Sequence, residues 1–184
     1  MSLSVLFVCT ANICRSPFME LYVRARAGAG APLVLASAGT HGYVDRPMHP
    51  PQAAELTRRG IDPSAFRSRP LSAALLDEAD LVLTAERSHR AFVLEEHPAV
   101  FRKTFTLGHF ASLAAGQEPG GDLFSRLAGR GGTASADHDV ADPYARGAQA
   151  ASVCADALVD LIDPLVPALA AATLARGAHP PKET

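Results

Sequence analysis

Leu3-Ser4-Val5-Leu6-Phe7-Val8 opens the chain as a short, almost unbroken apolar run. Comparable runs recur at Leu33 to Ala38, Asp80 to Thr84 and Lys103 to Leu107. Runs of this length, bounded by turn residues, read as strands. Helix signals stand between them. One covers about Pro17 to Ala29, ended by Gly28 and Gly30; another covers Pro50 to Arg59, stopped by Gly60; a third covers Glu86 to Glu96. A final helix spans about Gln149 to Ile162, with Pro164 and Pro167 breaking its extension. Short strands separated by helices predict an α/β domain with a parallel sheet and right-handed crossovers. Ligands bind such sheets beyond the carboxyl ends of the strands.

Composition narrows the class. At 184 residues the chain is long enough for a single core, and its 48% hydrophobic content excludes a disordered protein. Net charge is −2, with no run of like charges. Arg58 and Arg59 decorate a helix end, and Arg67 and Arg69 a loop, so no nucleic acid or anionic membrane partner is indicated. No stretch approaches transmembrane length without a break. The apolar start has no Lys or Arg before Arg15, so it reads as a strand rather than a signal peptide. Three cysteines, an odd count, argue against a secreted disulfide framework and for a reducing cytoplasm. Cys154, in an alanine-rich helical stretch, reads as buried packing.

The candidate chemistry lies directly behind the first strand, in Cys9-Thr10-Ala11-Asn12-Ile13-Cys14-Arg15-Ser16. A loop ending at a helix N-terminus turns several backbone N–H groups toward one point, and with the helix dipole they favour a bound dianion. The same field favours thiolate over thiol at Cys9. Arg15 adds a planar fork for two phosphoryl oxygens, and Ser16 a hydroxyl for the Cys9 sulfur. Pro17 fits a first helical turn, and Asn12 tolerates a left-handed backbone that would aim amides inward. The plain alternative is a core cysteine with a chance Cys-x5-Arg spacing. The strand before and the Ser-Pro after favour the cradle.

A phosphatase also needs a proton donor. In Val140-Ala141-Asp142-Pro143-Tyr144, the proline biases Asp142 out of the helical region and onto a loop. The alternative is a turn that merely starts the last helix.

Val8 to Pro17 resembles the signature of the low-molecular-weight protein tyrosine phosphatases. Ser37-Ala38-Gly39-Thr40 resembles the segment after their second strand, Asp80-Leu81-Val82-Leu83 their third strand, and Asp142-Pro143-Tyr144 their general-acid loop. The similarity runs from about Leu3 to about Ile162. It implies a three-layer sandwich with a central four-stranded parallel sheet, in a single domain over residues 1–175. It implies Cys9 as nucleophile, Arg15 as phosphate clamp and Asp142 as general acid, with residues Thr10 through Ser16 cradling phosphate. Asn12, Ser16 and Ser37 would hold the loop open. Tyr43 and Tyr144 would wall the cleft, and Cys14 would be able to form a reversible disulfide with Cys9.

The chain departs from that pattern in places. Ala11 stands where the family has glycine, Phe66 where a supporting histidine is expected, and Ala145 where a second aromatic often follows Asp-Pro. Gly116 to Asp139 is longer than expected and rich in Gly, Ser and Ala. It reads as a surface insertion with a helical turn at Asp122 to Leu127, or as a substrate-selecting lid. Residues 176–184 read as a flexible tail.

The seven histidines form no metal-ligand pattern; His138 and Asp139, close to Asp142, come nearest. His41 and His49 read as solvated loop residues beside the cleft. The function implied is a cofactor-free, cytoplasmic phosphatase acting on a phosphotyrosine protein or a small aryl phosphate. Thiol-dependent arsenate reductase lacks reachable resolving cysteines, since Cys14 is confined to the loop and Cys154 lies in a helix. A phosphoanion-binding module would need neither thiolate nor acid.

Overall fold

The computed structural model describes residues 2–115 and 139–175, with side chains through Ala170. Strands β1 (Leu3–Cys9), β2 (Leu33–Gly39), β3 (Leu81–Thr84) and β4 (Thr104–Thr106) form one sheet in the order β2-β1-β3-β4. Every pairing is parallel, with Phe7 opposite both Ser37 and Leu83, and Leu83 opposite Phe105. Alternation along β1 sends Leu3, Val5, Phe7 and Cys9 to one apolar cluster and Leu6 and Val8 to another. The strand is therefore buried on both faces, as parallel sheets require.

The first cluster takes Phe18 and Tyr22 from α1 (Arg15–Ala27) and Leu56 from α2 (Pro50–Arg58). It also takes Phe110 from α5 (Leu107–Ala114), Leu158 and Ile162 from α6 (Gly147–Ile162), and Leu169 from α7 (Leu165–Ala175). The second takes Leu76 from α3 (Ala73–Glu78), Val93 from α4 (Arg87–Glu96) and Val100 from a 3-10 turn over Pro98–Lys103. Burial of each such side chain contributes about 1.5–3 kcal/mol. The result is the expected three-layer sandwich.

Local chemistry explains where the sequence reading and the structure differ. Helix α1 starts at Arg15 rather than Pro17, with Cys14 as its N-cap, so Pro17 is the third helical residue and still needs no N–H partner. Helix α3, not foreseen, is capped by Ser72, whose hydroxyl accepts from the Leu75 amide. Strand β4 is shorter than Lys103 to Leu107, because Thr106 caps α5 by accepting from the His109 amide. Pro164 follows the end of α6, but Pro167 does not stop a helix. It sits in the first turn of α7, where its missing N–H leaves no gap. The readings made for residues 116–138, including His138, and for 176–184 lie outside the described residues.

The chain leaves β1 toward β2 on one side and reaches β3 on the other. A crevice opens at that point beyond the carboxyl end of β1, where Cys9 lies.

Candidate active site

The loop after β1 is shaped by hydrogen bonds on its outer side. The carbonyls of Cys9, Thr10, Ala11 and Ile13 accept from the amides of Thr40, His41, Tyr43 and His49 at 2.9, 2.9, 3.2 and 2.8 Å. Among the described residues no carbonyl accepts from the amides of residues 10–14. With the carbonyls turned outward, the amides are left for a ligand in the centre. Gly39 permits this approach: a Cβ there would lie 2.5 Å from the Thr10 carbonyl oxygen.

Asn12 supplies the kink at φ 56°. Ala11 is not among the residues with positive φ, so its Cβ brings no left-handed strain. The fully buried Asn12 side chain donates from Nδ2 to Ser16 Oγ at 2.8 Å and to Ser37 Oγ at 2.9 Å, while its Oδ1 accepts from the Arg69 amide at 2.9 Å. Ser16 Oγ in turn lies 3.0 Å from Cys9 Sγ. The three residues expected to support the loop are thus joined.

Phe66 packs in the core, as a phenyl ring must, and takes no part in this network. Glu20 does: Ser37 Oγ donates to its Oε2 at 2.6 Å, and Arg24 Nη2 donates to its Oε1 at 2.7 Å. Both Asn12 Nδ2 hydrogens are spent, so Ser37 must pass its own hydrogen onward, and the acidic Glu20 is a suitable end to the chain.

Arg15 is 2% exposed, and its guanidinium is held from several sides. Nη1 donates to Glu86 Oε1 at 2.6 Å and to the Val140 carbonyl at 2.9 Å; Nη2 stands 3.1 Å from Asp142 Oδ2. Its buried Nε has no hydrogen-bond partner among the described residues. Burial works against its charge, but Cys9, Asp142 and Glu86 outweigh that and raise its pKa. The other two thiols are pushed the opposite way from reactivity. Burial, then Cys9 and Asp142, lifts Cys14 to about 12, and burial above all lifts Cys154 to about 12.

The Asp142 loop is tied to the end of β3 by the Val140 amide, which donates to the Ala85 carbonyl at 2.9 Å. Asp142 Oδ1 accepts from the Tyr144 amide at 3.2 Å, an Asx-type turn. A cleft of about 200 Å³ results, lined by Cys9, Thr10, Ala11, Ile13, Cys14, Arg15, Tyr43, Asp142 and Tyr144. Tyr43 and Tyr144 are half-exposed. His49 is half-buried rather than solvated, because its ring packs on Tyr144 with centroids 5.1 Å apart; His41 is exposed and leans on Phe92. Among the described residues no group of three or more His, Cys, Asp or Glu could hold a metal ion.

Sequence reasoning did not single out Glu20, Arg69, Glu86 or His89. For Glu86 a signal exists: it is an acid just past the carboxyl end of a strand in a parallel sheet.

Comparison with known proteins agrees with this picture. The family model for low molecular weight phosphotyrosine protein phosphatase matches residues 4–119. The low molecular weight protein-tyrosine-phosphatase Etp of Escherichia coli K12 is 36% identical over 107 residues, 58% of this chain and 70% of its own. The protein-arginine-phosphatase of Geobacillus stearothermophilus is 30% identical over 165 residues, 88% of this chain and 92% of its own. Among solved structures, the YwlE arginine phosphatase from the same organism superposes with TM-score 0.74 at 27% identity, covering 97% of this chain and 99% of that one. The low molecular weight protein tyrosine phosphatase of T. tengcongensis gives TM-score 0.72 at 32% identity, covering 90% and 98%. The cradle, its buried arginine and the fold thus converge on one assignment: the chain belongs to the low molecular weight phosphotyrosine protein phosphatase family.

Proposed function

We propose that Cys9, Arg15 and Asp142 carry out hydrolysis of a phosphomonoester through a phosphocysteine intermediate, with phosphotyrosine in proteins as the leading substrate. One observation carries the assignment. Among the described residues, a buried guanidinium beside Cys9 keeps an unpartnered N–H, next to a ring of amides without acceptors. A phosphoryl group satisfies both at once.

The Cys9 thiolate attacks phosphorus as the P–O bond to the leaving group breaks. Arg15 and the loop amides hold the equatorial oxygens. Protonated Asp142 gives its proton to the departing oxygen. Asp142, now a carboxylate, then takes a proton from water, whose oxygen attacks phosphorus, releasing phosphate and the Cys9 thiolate. Ser16 Oγ lies 3.0 Å from Cys9 Sγ, and turning its hydrogen from the Ala38 carbonyl, 3.3 Å away, to the sulfur would stabilise that thiolate as it leaves. The buried Cys14 and Cys154 do not compete as nucleophiles.

The walls favour a flat ring. Ile13, Tyr43 and Tyr144 give the cleft apolar and aromatic sides suited to a phenyl ester. A second reading is phosphoarginine, because the relative matched over the larger share of this chain is a protein-arginine-phosphatase. No helix of the described residues is long and apolar enough to cross a membrane, and a cytoplasmic setting fits the free thiols.

The test is hydrolysis of p-nitrophenyl phosphate and of phosphotyrosyl and phosphoarginyl peptides by wild type, Cys9→Ser and Asp142→Ala. The reading expects near-total loss in the first variant, a large loss of turnover in the second, and preference for the tyrosyl peptide. Unchanged hydrolysis by Cys9→Ser overturns it.

A further inference from the structure

Thr10 follows Cys9 in the loop, is exposed, and lines the cleft. Among the described residues its hydroxyl has one hydrogen-bond partner, Nε2 of His89 at 2.8 Å. His89 lies on α4, is 4% exposed, and its buried Nδ1 has no partner among the described residues. Those facts select a tautomer. A proton on Nδ1 would bury a donor with nothing to receive it, whereas a bare Nδ1 leaves only an unsatisfied acceptor, the milder defect. Glu86 Oε2, 3.9 Å from Nε2, also favours the proton on Nε2.

The consequence concerns Thr10. If Nε2–H donates to Thr10 Oγ1, one lone pair of the hydroxyl is occupied and its own hydrogen is free. In the described structure the open side is the cleft that Thr10 lines. We infer that the Thr10 hydroxyl is a hydrogen-bond donor to an oxygen of the bound substrate, and that His89 is the positioning residue that fixes its direction. The donor is a polar contact in a cleft whose lining also includes Ile13, Tyr43, Tyr144 and Asp142. The accepting oxygen is either phosphoryl or a peptide carbonyl beside the phosphorylated residue. This inference rests on the phosphatase reading of the same cleft.

The experiment compares Thr10→Val, Thr10→Ser, His89→Leu and the Thr10→Val/His89→Leu double variant. Substrates are p-nitrophenyl phosphate and a phosphotyrosyl peptide, and inorganic phosphate binding is followed by calorimetry. Loss of one hydrogen bond predicts a fall of about five- to tenfold in kcat/KM for Thr10→Val, carried mainly by KM. Thr10→Ser restores it. If a phosphoryl oxygen is the acceptor, both substrates and phosphate affinity suffer alike; if a carbonyl is, only the peptide does. His89→Leu weakens the same substrates, and the double variant is no worse than Thr10→Val alone. Effects within about twofold for Thr10→Val on every probe overturn the inference, as does full additivity in the double variant or a loss confined to kcat. A wild type that binds phosphate but hydrolyses neither ester overturns the phosphatase reading instead, and calorimetric binding of phosphate and of the phosphotyrosyl peptide then reads the Thr10 contact.

Discussion

Asp142 Oδ2 stands 3.1 Å from Arg15 Nη2, so the proposed proton donor and the proposed phosphate clamp touch each other across the cleft. A phosphoryl group entering the cradle brings negative charge to the guanidinium that Asp142 already contacts. Removing the carboxylate therefore has opposite effects on binding and turnover. Asp142→Ala is expected to bind inorganic phosphate more tightly than wild type while losing about 10²–10⁴-fold in kcat toward p-nitrophenyl phosphate. Phosphate titration and steady-state kinetics check this. Weaker phosphate binding in the variant would show that Asp142 does not compete for Arg15.

Glu86 meets Arg15 from the other side, at 2.6 Å. Glu86→Gln keeps a hydrogen-bond acceptor but removes the charge. The guanidinium then loses one of the groups that hold it, and KM for aryl phosphate is expected to rise several-fold with little change in fold stability. Kinetics paired with thermal unfolding check this. An unchanged KM would place the burden of holding Arg15 on the Val140 carbonyl and Asp142 alone.

Asn12 combines a positive φ with hydrogen bonds to Ser16, Ser37 and the Arg69 amide. Asn12→Ala keeps the strained backbone requirement and leaves buried hydroxyls and an amide short of partners. It should cost about 2–4 kcal/mol, the range for several lost buried hydrogen bonds plus left-handed strain. Urea denaturation measures the loss, and a change below about 0.5 kcal/mol would show that the network adds little.

His89 sets a pH dependence of stability. Burial, followed by the charge of Arg15, lowers its pKa from 6.5 to about 4, against the opposing pull of Glu86, Asp142 and Asp139. The folded value is depressed, so the unfolded chain binds the extra proton between pH 4 and 6.5. Stability contributed by the neutral ring is complete above the unfolded value and is lost as pH falls through that window. His89→Leu should therefore lose less stability than wild type between pH 7 and pH 4.5, by an amount on the order of a few kcal/mol. Parallel urea midpoints for the two proteins across that range would contradict it.

Legibility followed sequence distance. The strand-loop-helix unit from Leu3 to Ala27 is local, and its chemistry could be read from adjacent residues; Asn12 adopted the left-handed backbone expected of it. Asp142 was visible because Asp-Pro advertises a loop. Glu86 and His89 lie 71 and 79 positions from their partners Arg15 and Thr10, and only the parallel packing of β1 beside β3 brings them together. Glu20 looked like one more charged residue of a helix, since nothing local says that Ser37 closes on it. Pro167 misled because proline breaks a helix interior but suits a first turn, and sequence alone did not say which turn it occupied.

The most direct test of the central claim is rapid quenching of the enzyme during turnover of an aryl phosphate, followed by mass spectrometry of the peptide that contains Cys9. A phosphoryl group on the Cys9 sulfur, absent in Cys9→Ser and accumulating in Asp142→Ala if its hydrolysis is the slower step, is the result this account requires. Turnover that proceeds with phosphorus on no residue, or on a residue other than Cys9, would contradict it.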